Sequence, residues 1–152
     1  ERFWARLKDF RKILEDKMTI FSGKCLCGMV SYDCEVEPKA IFNCHCEDCR
    51  RATGSVFGTN LFVPEDQVKI SGEVSYYSHT SDSGSTMTKR FCSNCGSLLF
   101  GTNSAKPNVL SVRAGTVNQL DIIKPALNVF MDSKVPSTSI DKNLKQAVKM
   151  PQ

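Results

Sequence analysis

No apolar run in this sequence approaches the ~18–20 residues that a membrane-spanning helix needs, so no membrane protein is expected. The segment Glu1-Arg2-Phe3-Trp4-Ala5-Arg6 is too charged for the apolar part of a secretory signal. Charge of one sign is also missing from the body of the chain. The net charge of +4 divides into +2 over residues 1–17, +3 over 134–152 and −1 over 18–133. A duplex-binding domain concentrates Lys and Arg on one face, so nucleic acid is not an expected partner. No internal repeat is present beyond recurring Cys groups, and no low-complexity segment precedes the tail. What remains, 152 residues with 41% hydrophobic and 24% charged side chains, suits one globular domain.

Phe3, Trp4, Leu7, Phe10, Leu14 and Met18 recur at spacings of three and four, which predicts an amphipathic helix over 1–18. Packing on its own domain or on a partner chain is its expected role, with a homo-oligomer as one outcome. From Thr19 the pattern turns to short runs rich in Val, Ile, Phe and Tyr, predicting strands at 19–24, 28–34, 40–44, 56–63, 67–71, 73–78, 86–91, 97–101, 108–114 and 126–131. Many short strands with frequent turn signals imply a mainly β body over 19–136. Residues 137–152 are polar and weakly periodic, and are expected to be a mobile or partner-docked tail.

Eight cysteines stand at 25, 27, 34, 44, 46, 49, 92 and 95. Seven are grouped as Cys25-x-Cys27, Cys44-x-Cys46-x-x-Cys49 and Cys92-x-x-Cys95. A disulfide scaffold spreads its half-cystines so that each bridge closes a loop, and Cys-x-Cys is too short to bridge without strain. Clustering therefore points to zinc in a reducing compartment, and cytoplasmic localisation is expected. Cys92-Ser93-Asn94-Cys95-Gly96 is a zinc knuckle that needs two further ligands. Cys25 and Cys27 can supply them, leaving Cys44, Cys46 and Cys49 as a three-thiolate site with an open position, as catalytic zinc requires. A rival division pairs Cys46 and Cys49 with Cys92 and Cys95. His45 should point away from Cys44 and Cys46 in an extended segment. Cys34 reads as a packed thiol, and His79 as an exposed loop residue.

The sequence resembles the glutathione-dependent formaldehyde-activating enzyme family, which includes the centromere protein V domains. The resemblance rests on Gly23-Lys24-Cys25-Leu26-Cys27-Gly28, Cys44-His45-Cys46-Glu47-Asp48-Cys49-Arg50-Arg51-Ala52-Thr53-Gly54-Ser55, Arg90-Phe91-Cys92-Ser93-Asn94-Cys95-Gly96-Ser97 and Arg113-Ala114-Gly115-Thr116. It implies a β-tent pinned by two zinc ions: a structural one on Cys25, Cys27, Cys92 and Cys95, and a catalytic one on Cys44, Cys46 and Cys49. It further implies a carbon-sulfur lyase that joins glutathione, or another small thiol, to formaldehyde or another small electrophile. Arg50 and Arg51 are then candidate contacts for glutathione carboxylates. The alternative is a non-enzymatic, zinc-stabilised interaction module of the centromere protein V type. Asn128 and Ser137 stand where the family often has His and Trp, which affects any substrate contact made there.

Overall fold

The computed structural model describes residues 18–151. The helix expected over 1–18 lies, apart from Met18, outside the described residues. The elements are β1 (Phe21–Lys24), β2 (Ser31–Cys34), β3 (Ala40–Cys44), α1 (Glu47–Thr53), β4 (Gly58–Pro64), β5 (Val68–Ser71), β6 (Val74–Thr80), β7 (Thr86–Cys92), β8 (Leu98–Asn103), β9 (Lys106–Arg113), β10 (Leu127–Val129) and β11 (Lys145–Gln146). Each predicted strand is present, with ends shifted by a few residues. No helix among the described residues is long and apolar enough to cross a membrane.

Two sheets form. The smaller has the order β1-β2-β5, and the larger runs β11-β10-β3-β4-β9-β8-β7-β6. Side chains alternate across a strand, and β4 and β9 use that alternation to serve two purposes. Leu61, Val63, Leu110 and Val112 enter the main core with Phe21, Tyr32, Leu99 and Phe100. Asn60, Phe62, Ser111 and Arg113 face a cavity on the opposite side. Phe21 and Phe100 both meet the Tyr32 ring edge-on, at centroid distances of 6.5 and 5.1 Å, a favourable arrangement for aromatic quadrupoles. Tyr32 Oη lies 2.9 Å from Thr116 Oγ1. Gly23 makes this approach possible, because a Cβ there would lie 2.1 Å from Tyr32 Oη and 2.4 Å from Thr116 O.

Two expectations need correction. The sequence predicts no helix after the 40–44 strand; the extended backbone expected around His45 holds at Cys46, and α1 then begins at Glu47 with Cys46 as its N-cap. The residues for a short helix are all there: a cap acceptor, Glu47 and Asp48 in the first turn, Arg50 and Arg51 in the last, and Gly54 at φ 68 closing the end. The tail, expected to be mobile or partner-docked, packs on its own domain. β11 pairs parallel with β10, and Ala147 N donates to Asn128 O at 2.8 Å. Buried Asn128 fixes this arrangement. Its amide donates to Asp141 O and Gln146 Oε1 at 3.4 and 3.3 Å, and its Oδ1 accepts from Asn43 at 3.0 Å. Lys149 adds an ion pair with Asp132 at 2.6 Å. A polar segment can dock in this way because its stabilisation comes from backbone pairing and amide bonds, which leave no apolar periodicity to read.

Candidate metal centres and the adjoining cavity

Cys25 and Cys27 follow β1 of the small sheet, whereas Cys92 ends β7 of the large one and Cys95 lies in the turn beyond it. Their four thiols lie within 4.8 Å of one another. Cys27 Sγ is 3.6 Å from Cys25 Sγ and 3.8 Å from Cys92 Sγ. A tetrahedral ion with metal–sulfur bonds of about 2.3 Å, the zinc–thiolate length, holds its sulfurs about 3.8 Å apart. Backbone N–H groups also point at the sulfurs. Val30 N lies 3.3 Å from Cys25 Sγ, and Asn94 N and Cys95 N each lie 3.4 Å from Cys92 Sγ. Such donors stabilise thiolate. The Ser97 hydroxyl, 3.2 Å away, holds the Cys95 thiol down to about 5. This group is suited to a closed metal site that ties the two sheets together.

Cys44, Cys46 and Cys49 form the second group, also within 4.8 Å. Cys44 ends β3, and the other two belong to α1 and its cap. Cys44 donates to Cys46 at 3.3 Å, and Cys49 N donates to Cys46 Sγ at 3.3 Å. Hydrogen bonds from Cys44 and Cys46 pull the Cys49 thiol down to about 2, with help from the charges of Arg113 and Lys89. Hydrogen bonds to Cys46 and then Cys49 push Cys44 up. Cys46 and Cys49 are not grouped with Cys92 and Cys95, so the four-plus-three division is the one the fold builds. Among the described residues no fourth Cys, His, Asp or Glu joins the trio.

His45 is buried and turned away, its ring 4.9 Å from Phe57. Burial holds its pKa below the usual value, against an opposing contact with Asn128. Cys34 is a buried thiol donating to Val36 O at 3.4 Å. His79 corrects its expectation: it lies on β6, half-buried, 3.8 Å from Asp48.

The trio opens into a cavity of about 150 Å³, whose apolar wall includes Phe42, Phe62, Met87, Val129, Phe130 and Met150. Phe130 reaches it from a left-handed backbone, φ 56, which is strained for a residue with a Cβ. Met150 brings the docked tail into the wall. Two cations also line the cavity, Lys89 from β7 and Arg113 from β9, each only 6% exposed. The Arg113 guanidinium donates to Asn60 Oδ1. Burial, then Arg113, holds the Lys89 ammonium below its ordinary range. Gly101 of β8 gives them room, since a Cβ there would lie 2.8 Å from Ser111 Oγ and 3.3 Å from an Arg113 guanidinium nitrogen.

Arg50 and Arg51 do not line the cavity. Arg51 pairs with Glu47 at 2.7 Å on the exposed side of α1. Asn128 is taken up by Asn43 and the tail, and Ser137 is exposed. Lys89 and Arg113 were missed from the sequence. The available signal for Arg113 was the alternation Leu110-Ser111-Val112-Arg113, which puts Arg113 on the face opposite two core residues.

Residues 20–133 match the model of the family described as glutathione-dependent formaldehyde-activating enzyme. A crystal structure of a Rhodobacter sphaeroides protein is similar in fold, with a TM-score of 0.53 at 20% identity, over 68% of this chain and 96% of that one. No curated protein matches the chain significantly. The family match covers most of the chain and includes both cysteine groups, so the chain belongs to the glutathione-dependent formaldehyde-activating enzyme family.

Proposed function

We propose that the protein is a zinc-dependent carbon-sulfur lyase that forms or cleaves an adduct of glutathione with formaldehyde or a related small electrophile. The observation that carries this reading is the contrast between the two thiol groups. One has four sulfurs and closes on itself; the other has three and faces a cavity. In this reading Cys25, Cys27, Cys92 and Cys95 hold a structural zinc, and Cys44, Cys46 and Cys49 hold a catalytic one. Zinc at the trio would supply positive charge that favours the thiolate form of an incoming thiol.

The chain's own residues supply the rest. The apolar wall formed by Phe42, Phe62, Val129 and Phe130 excludes water, which strengthens electrostatic interactions inside the cavity. In the forward direction the thiol sulfur bonds to the carbonyl carbon, the C=O π pair moves to oxygen, and that oxygen takes a proton. In reverse the C–S bond breaks and the proton leaves, with no change of oxidation state. Lys89 and Arg113 supply N–H donors beside the trio for a developing oxyanion. Glutathione is far larger than the cavity, so its carboxylates stay outside, where Arg50 and Arg51 of α1 are proposed to meet them. A non-enzymatic module would need a trio closed by a fourth protein ligand, and none stands there among the described residues.

The test uses cobalt in place of zinc, because thiolate ligation to cobalt gives charge-transfer absorption. Glutathione should change the spectrum of the second site, and the zinc protein should accelerate S-hydroxymethylglutathione formation or breakdown. Both effects should vanish in Cys46→Ser. An unresponsive spectrum would remove the lyase reading.

A further inference from the structure

Two buried cations beside the trio can do more than donate to a developing oxyanion: before the addition, a neutral aldehyde such as formaldehyde matches neither charge. Lys89 and Arg113 come from β7 and β9, with β8 between them, and Gly101 on that strand leaves space for the guanidinium. Neither forms an ion pair with a carboxylate among the described residues; Arg113 is bonded to the neutral amide of Asn60. Buried charge is costly unless matched. With no carboxylate among the described residues against either of them, the two cations favour an anionic occupant of the cavity. Size narrows the choice. The cavity beside the trio is about 150 Å³ and shares Phe42, Phe62, Met87, Ser111 and Met150 with a second of about 290 Å³, so a small anion fits next to the two cations.

We propose that Lys89 and Arg113 form an anion subsite beside the three-cysteine centre, and that the electrophile taken there is a small carboxylate-bearing aldehyde. The inference rests on the lyase reading for its chemistry, and on the cavity and its two cations for the substrate class. The carboxylate pairs with Lys89 and Arg113, and its α-carbonyl carbon faces the thiol. The sulfur–carbon bond forms, the π pair moves to the carbonyl oxygen, and a proton from the thiol completes the hemithioacetal.

The experiment uses the full chain loaded with zinc. Oxamate, an unreactive 2-oxo-acid mimic, is titrated by calorimetry, with acetamide as the neutral control. Glyoxylate and formaldehyde are then compared as partners of glutathione. Oxamate should bind saturably and acetamide should not. Lys89→Met should weaken oxamate about tenfold or more, the usual scale for losing a charge-assisted hydrogen bond, with zinc content unchanged. It should lower the glyoxylate-to-formaldehyde ratio of kcat/KM by a similar factor, and Lys89→Arg should restore part of it. If Lys89→Met does not fold, Gly101→Ala, which crowds Arg113, should weaken oxamate in its place. Absence of oxamate binding to the unaltered protein would overturn the proposal, as would equal binding to a folded Lys89→Met protein. Turnover of formaldehyde but not glyoxylate would also overturn it while leaving the lyase reading intact. Oxamate binding that depends on Lys89, without turnover of either aldehyde, would keep the subsite and remove the lyase.

Discussion

The sulfur of Cys46 accepts the backbone N–H of Cys49 at 3.3 Å, so one proposed metal ligand is also the N-cap of the helix carrying another. The helix start is thereby coupled to the three-thiol centre.

This double role separates two substitutions. Cys46→Ser keeps a good cap acceptor, so the protein should remain folded and bind about one equivalent of zinc instead of two. Cys46→Ala should lose the same metal and, in addition, about 0.5–2 kcal/mol of stability measured without metal. Metal analysis with denaturant unfolding of both variants checks this. Equal stability of the two metal-free proteins would mean that the cap contributes nothing.

Cys92→Ser should behave differently, because Cys92 belongs to the group joining the small sheet to the large one. Metal binding at such a site is part of the folding free energy. The variant should be insoluble or strongly destabilised, and chelation of the intact protein should lower its Tm. A Cys92→Ser protein as stable as Cys46→Ser would contradict the structural assignment.

Alkaline pH should expose the burial of Tyr32, whose hydroxyl is pushed up to about 12, chiefly by desolvation. An unfolded tyrosine ionises near 10, so the folded state binds the proton more tightly. The stabilisation is full below about pH 10 and is lost as pH rises through about 12. Tyr32→Phe should unfold with a weaker pH dependence across that window, in parallel thermal melts. An unchanged slope would show that other groups control alkaline unfolding.

Asn128→Ala should cost roughly 1–3 kcal/mol, since it removes a buried side chain that accepts from the half-buried Asn43 amide and donates to Gln146 Oε1 in the tail. Loosening the tail also loosens Met150 in the cavity wall, so zinc at the trio should become easier to chelate. Competition with a colorimetric chelator follows the second equivalent. A stability loss without faster metal release would detach the tail from the site.

The local sequence determined which residues become strands and which sulfurs are grouped. Alternation in Val109-Leu110-Ser111-Val112-Arg113 and short Cys spacing both act over a few residues, so they can be read directly. Helix α1 has a local signature too, in the order of cap, acids, bases and Gly54, but it is only seven residues long and carries no apolar periodicity. Tertiary structure decided what stands beside the trio. Lys89 and Arg113 are 24 residues apart in sequence and meet the same cavity because β8 separates their strands and Gly101 has no side chain. It also decided that Asn128 holds a polar tail against β10 and that Arg50 and Arg51 lie outside the cavity. Sheet order and the close approach of distant backbones set these relationships, and neither has a signature within a window of a few residues.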